Sequence, residues 1–330
     1  MRRLTVAAVL LVLLAPACGG EEGDLTVYSG RSEDLVEDLF EQFEEETGLK
    51  LDVRYGDSAE LAATIAEEGE NSPADVFFAQ DAGSLGSVAA EGLLAELPAE
   101  TLAAVDERFA DPEGHWVGTS GRARVVAYNT DAVAEDELPD SIWDYADPEW
   151  RGRLGVPATN ASFQAMVTAM RLEAGDDRTR EWLEAIAANE PRIFENNVAT
   201  LEAIAAGEID AGFVNHYYLY GLLGEQPDAP VANHYLAAGD PGALVNVAGA
   251  GILRTTDRAG IAQQLVDYLL GPGQEYFATE TDEYPLVAGV EPESELPPLS
   301  DLQGPDVELS AFGPELAATL EMLDSVGLTS

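Results

Sequence analysis

The sequence predicts an α/β fold with a parallel sheet, and three observations support this prediction. Strand patterns alternate with helix patterns along the chain. Several strands are continuous apolar runs, which are typical of parallel strands buried on both faces. The chain has 330 residues, of which 46% are hydrophobic, so it can build one large or two medium domains around a substantial core.

The N-terminal third shows the alternation most clearly. Apolar residues recur at helical spacing from Leu35 to Phe43, and Gly48 ends this helix. Asp57 or Ser58 is placed to cap the next helix. In chain order we predict a strand at 24–30, a helix ending at Gly48, a strand at 50–56, a helix at 57–69, a buried strand at 74–80 and a helix at 82–94.

The rest of the chain repeats the alternation. The predicted elements are a strand at 122–129, a short strand at 154–156 after a turn-rich segment, helices at 159–175, 178–191 and 196–210, strands at 211–216 and 243–254, and a helix at 258–271. Long strand runs near Arg124 and Val245 indicate that the chain passes more than once between two lobes. Two lobes are therefore expected without a separate linker.

The net charge is strongly negative. Lysine and arginine together number 16, against 62 aspartate and glutamate residues, which gives a net charge of −46. Nucleic acid is excluded as a partner, because its phosphates need a basic surface. The acidity has two interpretations, a solvated surface suited to high salt or an attraction for a cationic ligand, and the sequence leaves both open.

The amino terminus has the pattern of an export signal. Two arginines precede an apolar run from Leu4 to Leu14, which is too short for a stable transmembrane helix. Cys18, the one cysteine of the chain, follows in a position that resembles the lipobox of bacterial lipoproteins. We predict a signal peptide at 1–17 and a lipid-anchored tether at 18–23, on the extracytoplasmic face of the cell membrane. The alternative is a cleaved signal in which Cys18 is incidental.

Common enzyme and metal motifs are missing from the sequence. It contains no cysteine–histidine cluster and its three histidines are far apart, which excludes a zinc or iron–sulfur site. It also contains no GxGxxG loop after a strand, no GxxxxGK[ST] loop and no GxSxG elbow. An enzyme is therefore not expected.

Adjacent tyrosines in the stretch VNHYYLY are candidate metal ligands. Phenolate is a hard oxygen donor, and a highly charged cation such as Fe³⁺ can deprotonate a tyrosine, whose ordinary pKa is about 10. Neighbouring residues on a strand point to opposite faces, so Tyr217 and Tyr218 converge only where regular structure breaks. The sequence places them where an apolar strand gives way to another element. The alternative is that both rings are packed aromatics.

A second candidate site would bind an anion. The PATNAS segment places small and polar residues at the first turn of a predicted helix, where free backbone N–H groups bind phosphate or carbonate. The alternative is a simple cap by Thr159 or Asn160. Arg122 and Arg124 lie two apart on a predicted strand, hence on one face, where they serve either an anion or a salt bridge.

Several segments, taken in order, give the chain a specific resemblance. They are LTVYSGRSEDLVEDLFEQFEEETG, VRYGDSAELAATIAEEGENSPADVFFAQDAGSLG, SGRARVVAYN, TNASFQA, NNVATLEAIAAGEIDAGFVNHYYLY, GDPGALVNVAGAGIL and EYPL. The chain resembles the ferric-ion-binding proteins of bacterial ABC importers, which have the type II periplasmic-binding-protein fold. The resemblance implies two α/β lobes, a hinge of crossing strands and a ligand cleft. It implies an N-terminal lobe of 24–123 plus 248–298 and a C-terminal lobe of 124–247 plus 299–330.

The resemblance also implies a set of site residues. Tyr217 and Tyr218 match the family's adjacent tyrosine ligands, but the positions of a histidine ligand hold Ser32 and Glu33. Gln80 stands where some members have a glutamate ligand. Glu33 and Gln80 are therefore additional candidate oxygen ligands, each at the position of a ligand that other members have. The implied anion-binding residues are Thr159, Asn160, Ala161, Ser162, Asn196 and Asn215, assisted by Arg31, Arg122 and Arg124.

The function that the resemblance implies is iron transport. We predict an exported, monomeric solute-binding lipoprotein that captures Fe³⁺ with a synergistic phosphate or carbonate and delivers it to an ABC permease. The alternative keeps the receptor fold but gives it an organic ligand, such as a polyamine, thiamine, a phosphonate or a sugar. The missing histidine and glutamate keep this alternative open.

Overall fold

The computed structural model describes residues 23–292 and 296–329. The predicted signal peptide, Cys18 and residues 18–22 of the predicted tether lie outside these ranges. Across the two ranges, no helix is both long enough and apolar enough to cross a membrane.

The first part of the chain alternates between strands and helices. Its strands are β1 (Leu25–Ser29), β2 (Leu51–Tyr55), β3 (Val76–Ala79) and β4 (Val117–Asn129). Its helices are α1 (Glu33–Thr47), α2 (Ser58–Glu68), α3 (Ala82–Ala90) and the short α4 (Ala99–Leu102). Helix α1 buries the apolar positions that predicted it, and it ends where Gly48 adopts a positive φ of 74°.

The second part continues in the same way and ends in helices. Its strands are β5 (Leu154–Val156), β6 (Arg192–Ile193), β7 (Ala211–Asn215), β8 (Val231–His234), β9 (Val245–Ile252) and β10 (Tyr284–Pro285). Its helices are α5 (Ala161–Ala174), α6 (Asp176–Ala188), α7 (Asn197–Ala205), α8 (Tyr218–Glu225), α9 (Ala259–Leu270), α10 (Pro272–Glu280) and α11 (Phe312–Ser325).

Strand β4 connects the two lobes of the molecule. The sheet has the order β2-β1-β3-β9-β4-β7-β5-β6, with β8 and β10 also paired to β4. Residues 117–123 of β4 pair with β9, whereas residues 124–129 pair with β7 and β8. The chain crosses again just before β9, where the Arg124 N–H donates to the Leu244 carbonyl at 2.8 Å. The predicted two-lobed α/β fold with crossing strands is confirmed.

The prediction of a parallel sheet is wrong for the central strands. β9 runs antiparallel to both β3 and β4, and β4 runs antiparallel to β7. A strand buried on both faces shows the same apolar pattern in either direction, so the pattern does not specify orientation. The sheet is therefore mixed.

Three clusters of buried apolar side chains form the cores. The first lies around β1, β3 and β9, and the other two lie on opposite faces of β4 and β7, because alternate residues of a strand point to opposite sides. Helix α11 joins two of them: Phe312 belongs to the first cluster, and Met322 and Leu323 belong to the second. Helix α11 therefore packs against both lobes, and the predicted lobe boundaries stay a prediction.

Among the elements that sequence patterns missed are the strands β8 and β10 and the helices α8, α10 and α11. The two strands have four and two residues, too few for an alternation to show. Helix α10 begins in a Gly-Pro-Gly stretch and α8 contains two glycines, residues that normally interrupt regular structure. The shortest of these elements, β10, lies next to the site because it pairs with β4 at Ser120 and Gly121.

Candidate functional site

The adjacent tyrosines lie where strand β7 ends and helix α8 begins. Asn215 is the last strand residue, Tyr217 has α-helical backbone angles, and α8 begins at Tyr218. Because the strand stops here, the two rings do not point to opposite faces: their centroids are 4.2 Å apart and their planes meet at 31°. Both side chains are half-buried. The two phenols therefore stand side by side.

His216, which precedes the tyrosines, is fully buried and uses both ring nitrogens. Its Nδ1 accepts the backbone N–H of Ala123 at 3.1 Å, so Nε2 carries the proton and donates to the Asp282 carbonyl at 3.0 Å. Burial lowers the pKa of His216 to about 4. The ring is neutral at pH 7, and it ties the tyrosine turn to two other segments of the chain.

A small cavity of about 70 Å³ lies close to the point where β4 crosses between the lobes. Six predicted site residues line it together: Gln80, Arg122, Arg124, Ala161, Ser162 and Asn215. The other lining residues are Gly30, Asp57, Ser58, Ala59, Asp81 and Asn246. At about 30 Å³ per water molecule, the volume suits about two waters or one small anion.

The amino ends of helices α2, α3 and α5 meet at this cavity. Asp57 caps α2 and Asp81 caps α3, so a carboxylate already offsets the positive end of each helix dipole. Helix α5 is capped by the neutral Asn160, whose Oδ1 accepts the Ser162 N–H at 3.0 Å. Of these three helix ends, that of α5 is therefore the one that favours an anion.

A chain of side-chain hydrogen bonds links α5 to β4, β7 and α7, and the bond from the Ser162 N–H to Asn160 Oδ1 closes it into a ring. Arg124 Nη1 donates to Asn197 Oδ1 at 3.2 Å and to Asn215 Oδ1 at 3.0 Å. Asn197 Nδ2 donates to Asn160 Oδ1 at 3.0 Å, and Asn215 Nδ2 donates to Ser162 Oγ at 3.1 Å. We call these five residues the polar ring. The ring holds the wall of the cavity in one arrangement.

The two cavity arginines retain unused donors. Arg122 and Arg124 are both buried, and Arg122 Nη2 donates to the Gln80 carbonyl. In the part of the chain that the structure describes, Arg122 Nε and both Nε and Nη2 of Arg124 have no hydrogen-bond partner. Burial lowers the pKa of Arg124 to about 9, and the two tyrosines act against that shift. A buried guanidinium with unsatisfied donors is stabilised by an anion.

Thr159 and Asn196, two of the predicted anion-binding residues, belong neither to the polar ring nor to the lining of the cavity. Thr159 is exposed. Asn196 caps α7, since its Oδ1 accepts the Ala199 N–H at 2.9 Å, and the ring uses its neighbour Asn197 instead. The roles of Thr159 and Asn196 in ligand binding stay predictions.

The remaining predicted residues belong to the N-terminal lobe. Glu33 is exposed in the first turn of α1, where it acts electrostatically on Tyr55. Gln80 offers its main-chain carbonyl to Arg122. Arg31 is buried and pairs with the carboxylate of Glu283, with Nη2 and Oε1 2.8 Å apart. The structure thus separates Glu33 from the other candidates, and the ligand roles of all three stay predictions.

Sequence reasoning missed Asn197, Glu283 and Asn246. Adjacent asparagines at a helix start do not reveal which one caps the helix and which one faces the sheet. Glu283 belongs to the EYPL segment, but nothing local signals that its carboxylate is fully buried. Asn246 was detectable, because it is the one polar side chain in the apolar run of β9.

The hydroxyl of the half-buried Tyr217 interacts with charges of both signs. Burial raises the pKa of its hydroxyl, as do Tyr218 and Glu283, whereas Arg122 and Arg31 lower it. Without a ligand the hydroxyl is therefore protonated at pH 7. Within residues 23–292 and 296–329, no group of three or more histidine, cysteine, aspartate and glutamate side chains is placed to hold a metal ion.

Two α/β lobes with a polar cavity where the chain crosses between them define a solute-binding protein. The chain belongs to the family of bacterial extracellular solute-binding proteins, whose model matches residues 71–303. The Fe(3+)-binding periplasmic protein of Serratia marcescens is 31% identical over 329 residues, which cover 98% of this chain and 96% of the relative. The predicted family is confirmed.

Two solved structures share the fold. Iron-bound HitA from Pseudomonas aeruginosa is similar with a TM-score of 0.85 and 35% identity, covering 92% of this chain and 99% of that chain. The Trichodesmium protein IdiA (FutA), in complex with iron and citrate, has a TM-score of 0.82 and 31% identity, again over 92% and 99% of the two chains.

Proposed function

We propose that this chain captures ferric iron together with a synergistic anion and delivers it to the permease of an ABC importer. The observation that carries the proposal is the pair of phenols, Tyr217 and Tyr218. Their ring centroids are 4.2 Å apart, and both rings interact electrostatically with the buried arginines of the cavity. The Fe(3+)-binding relative and the iron-bound structures support it.

The phenols act as iron ligands once they lose their protons. Burial opposes that loss at Tyr217, while Arg31 and Arg122 favour it. The charge of Fe³⁺ promotes the loss of the phenol protons, because a bound cation lowers the pKa of its ligands and binding releases protons. Phenolate oxygens are hard donors, which suits Fe³⁺ better than softer divalent metals. Acidification should therefore release iron.

The synergistic anion balances the charge of the loaded site. Ferric iron with two phenolates keeps a net positive charge, to which Arg122 and Arg124 add. Phosphate or carbonate in the cavity would use the free donors of both arginines and the amino end of α5, next to Ala161 and Ser162. The polar ring holds Arg124 and the start of α5 in place before any ligand arrives, and the Gln80 carbonyl holds Arg122, so little ordering is needed on binding.

Few protein groups remain to complete the coordination of iron. Glu33 is exposed, both ring nitrogens of His216 are hydrogen-bonded, and Gln80, whose main-chain carbonyl is taken by Arg122, has only its side-chain amide to offer. The shell around iron is therefore completed by the anion and by water. Iron capture should depend more strongly on the anion than it would with a fuller set of protein ligands.

The proposal includes the place of action. Export by the signal at 1–17 and lipidation at Cys18 would hold the protein at the extracytoplasmic face of the cell membrane, close to the permease. The protein would act there as a monomer. Mass spectrometry of the mature amino terminus tests the anchor: a diacylglyceryl cysteine at position 18 is expected, and an unmodified terminus would contradict it.

An absorbance titration tests the iron site. Purified protein receives ferric citrate in the presence of phosphate or carbonate, and a red-orange phenolate-to-iron charge-transfer band is expected. Replacement of both tyrosines by phenylalanine should abolish the band. A wild-type protein that stays colourless with every anion tried would overturn the proposal.

A further inference from the structure

A strained turn fixes one segment against the tyrosines. Asp282 has a φ of 52°, in the left-handed region that non-glycine residues seldom occupy. Its carbonyl accepts the Nε2–H of His216, and the ring of Tyr284 packs on the His216 ring with centroids 4.7 Å apart. The residue between them, Glu283, is thereby held close to the tyrosine turn. Strain of this kind persists where the surrounding structure maintains it, often at functional sites.

Glu283 is fully buried and its carboxylate is fully engaged. Its Oε1 accepts from Arg31 Nη2 at 2.8 Å, and its Oε2 accepts from Ser120 Oγ at 2.5 Å. Burial raises the pKa of Glu283, but Arg31, Arg122 and Ser120 outweigh that effect and hold the pKa below its usual value. The side chain is therefore an anion at pH 7.

Arg31 connects this carboxylate with the phenols. The Ser29 hydroxyl fixes the backbone of Arg31, since Ser29 Oγ donates to the Arg31 carbonyl at 3.0 Å and accepts its N–H at 3.2 Å. After Glu283, the groups that act most strongly on the Arg31 charge are Tyr217 and Tyr218. Its Nε has no hydrogen-bond partner among the residues described. Arg31 thus stands between one permanent anion and two hydroxyls that become anions when iron binds.

We propose that the buried Arg31–Glu283 pair tunes the iron site: Arg31 stabilises the two phenolates, and Glu283 limits that stabilisation. Both are positioning residues, because they act on iron through Tyr217 and Tyr218. The N-terminal lobe then acts on the iron site through the charges of an ion pair. A lobe with its own metal ligand would instead supply an atom that coordinates iron. This inference rests on the proposed capture of iron by the two tyrosines.

The charge-transfer band reports the tuning directly. A cation beside a phenolate stabilises its filled orbitals, so more energy is needed to move an electron to iron, and the band lies at shorter wavelength. Arg31→Gln should shift the band to longer wavelength. Glu283→Gln keeps the shape of the side chain but removes its charge: its amide oxygen can still accept from Arg31, and its NH2 can donate to the Ser120 hydroxyl in a reversed hydrogen bond. The band should therefore shift to shorter wavelength. The double variant should return close to the wild-type position.

The experiment uses the full chain loaded with ferric iron and phosphate. Arg54→Gln is the matched control. Arg54 lies on the edge strand β2, is half-exposed and pairs with Glu68, so its substitution should leave the band unchanged. Opposite shifts support the inference. Unshifted bands, or shifts in the same direction, overturn it, since a purely structural pair would change thermal stability and not the band.

Two further outcomes are decisive. If Arg31→Gln does not fold, Glu283→Gln decides alone, and a band that is unshifted or moved to longer wavelength overturns the inference. Ser120→Ala gives a milder second test, because the Glu283 carboxylate loses one hydrogen-bond donor and its negative charge then acts more strongly on Arg31. Arg31 should stabilise the phenolates less, so a small shift of the band to longer wavelength is expected. A wild-type protein without any band would instead count against the proposed function itself.

Discussion

The two walls of the candidate ligand site are built in different ways. The C-terminal wall consists of the tyrosine turn and the polar ring, in which side chains bond to side chains across four elements. The N-terminal wall offers Arg31, Gln80 and Ser58. Arg31 is committed to Glu283, the Gln80 carbonyl accepts from Arg122, and Ser58 Oγ accepts the Gln80 N–H at 2.9 Å.

The difference indicates a division of labour. The C-terminal wall carries the candidate ligands in a preorganised form, which reduces the ordering cost of binding. The N-terminal wall carries charge and hydrogen-bonded backbone. Variants of the C-terminal wall should therefore change whether iron binds, and variants of the N-terminal wall should change how the bound iron behaves.

Removal of the phenols should have the largest effect. The double substitution Tyr217→Phe with Tyr218→Phe removes both candidate phenolates while it keeps the packing of the rings. Iron binding and the charge-transfer band should be lost in an absorbance titration. Tyr55→Phe, on the edge strand β2, is the control and should keep both. A double variant that still shows the band would place the phenolate ligands elsewhere.

Acidification should destabilise the fold through His216. The pKa of His216 falls from 6.5 to about 4 in the folded protein because the ring is buried. Between these values the unfolded chain binds more protons than the folded chain, so this contribution is complete above pH 6.5 and is lost as the pH falls to about 4. The loss amounts to about 3 kcal/mol of unfolding free energy.

Chemical denaturation at several pH values measures this loss. His216→Gln cannot titrate, so the free energy of unfolding of the wild type should fall relative to that of the variant as the pH decreases. Parallel stability curves for the two proteins would show that His216 does not carry the pH dependence.

Loss of one cavity arginine should weaken anion-dependent iron loading. Arg124→Gln removes a buried positive charge and the donors that the anion would use. Substitution of groups around a metal site typically weakens affinity by about 10- to 100-fold. The phosphate concentration needed for half-maximal iron loading should rise accordingly. If it does not change, the anion does not bind at Arg124.

The smallest effects are expected from substitutions of the adjacent residues Asn196 and Asn197. These two variants should distinguish a loss of fold stability from a loss of anion binding. Asn196→Ala removes a helix cap and should cost about 1 kcal/mol of stability with little change in phosphate dependence. Asn197→Ala breaks the polar ring and should cost about 1–3 kcal/mol while it also raises the phosphate requirement. Thermal melts and iron titrations on both variants check this; the reverse pattern would assign the anion to Asn196.

Local sequence signals sufficed for most of the fold. Helix α1 follows from its apolar spacing and from Gly48, and the long runs near Arg124 and Val245 predicted the crossing between lobes. The direction of β9 was not predictable, because a strand buried on both faces has no directional pattern. Short elements such as β10 were not predicted, because two residues are too few to show an alternating pattern.

The geometry of the candidate site was predictable where a single segment of the chain carries the feature. The tyrosine pair and the start of α5 are each a local signal, and the structure describes both. The Arg31–Glu283 contact joins residues 252 positions apart, and no local pattern encodes such a pairing. The choice between Asn196 and Asn197 likewise depends on how α7 faces β4, which is a property of the tertiary structure.

In the proposed function, one chain holds ferric iron and a small anion together. A metal and anion analysis of protein purified without chelators measures both at once. We expect iron with phosphate or carbonate in equal amounts, both lost from the variant that lacks Tyr217 and Tyr218 hydroxyls. A protein that carries an organic solute and no iron, whether or not ferric salts are supplied, would contradict the claim.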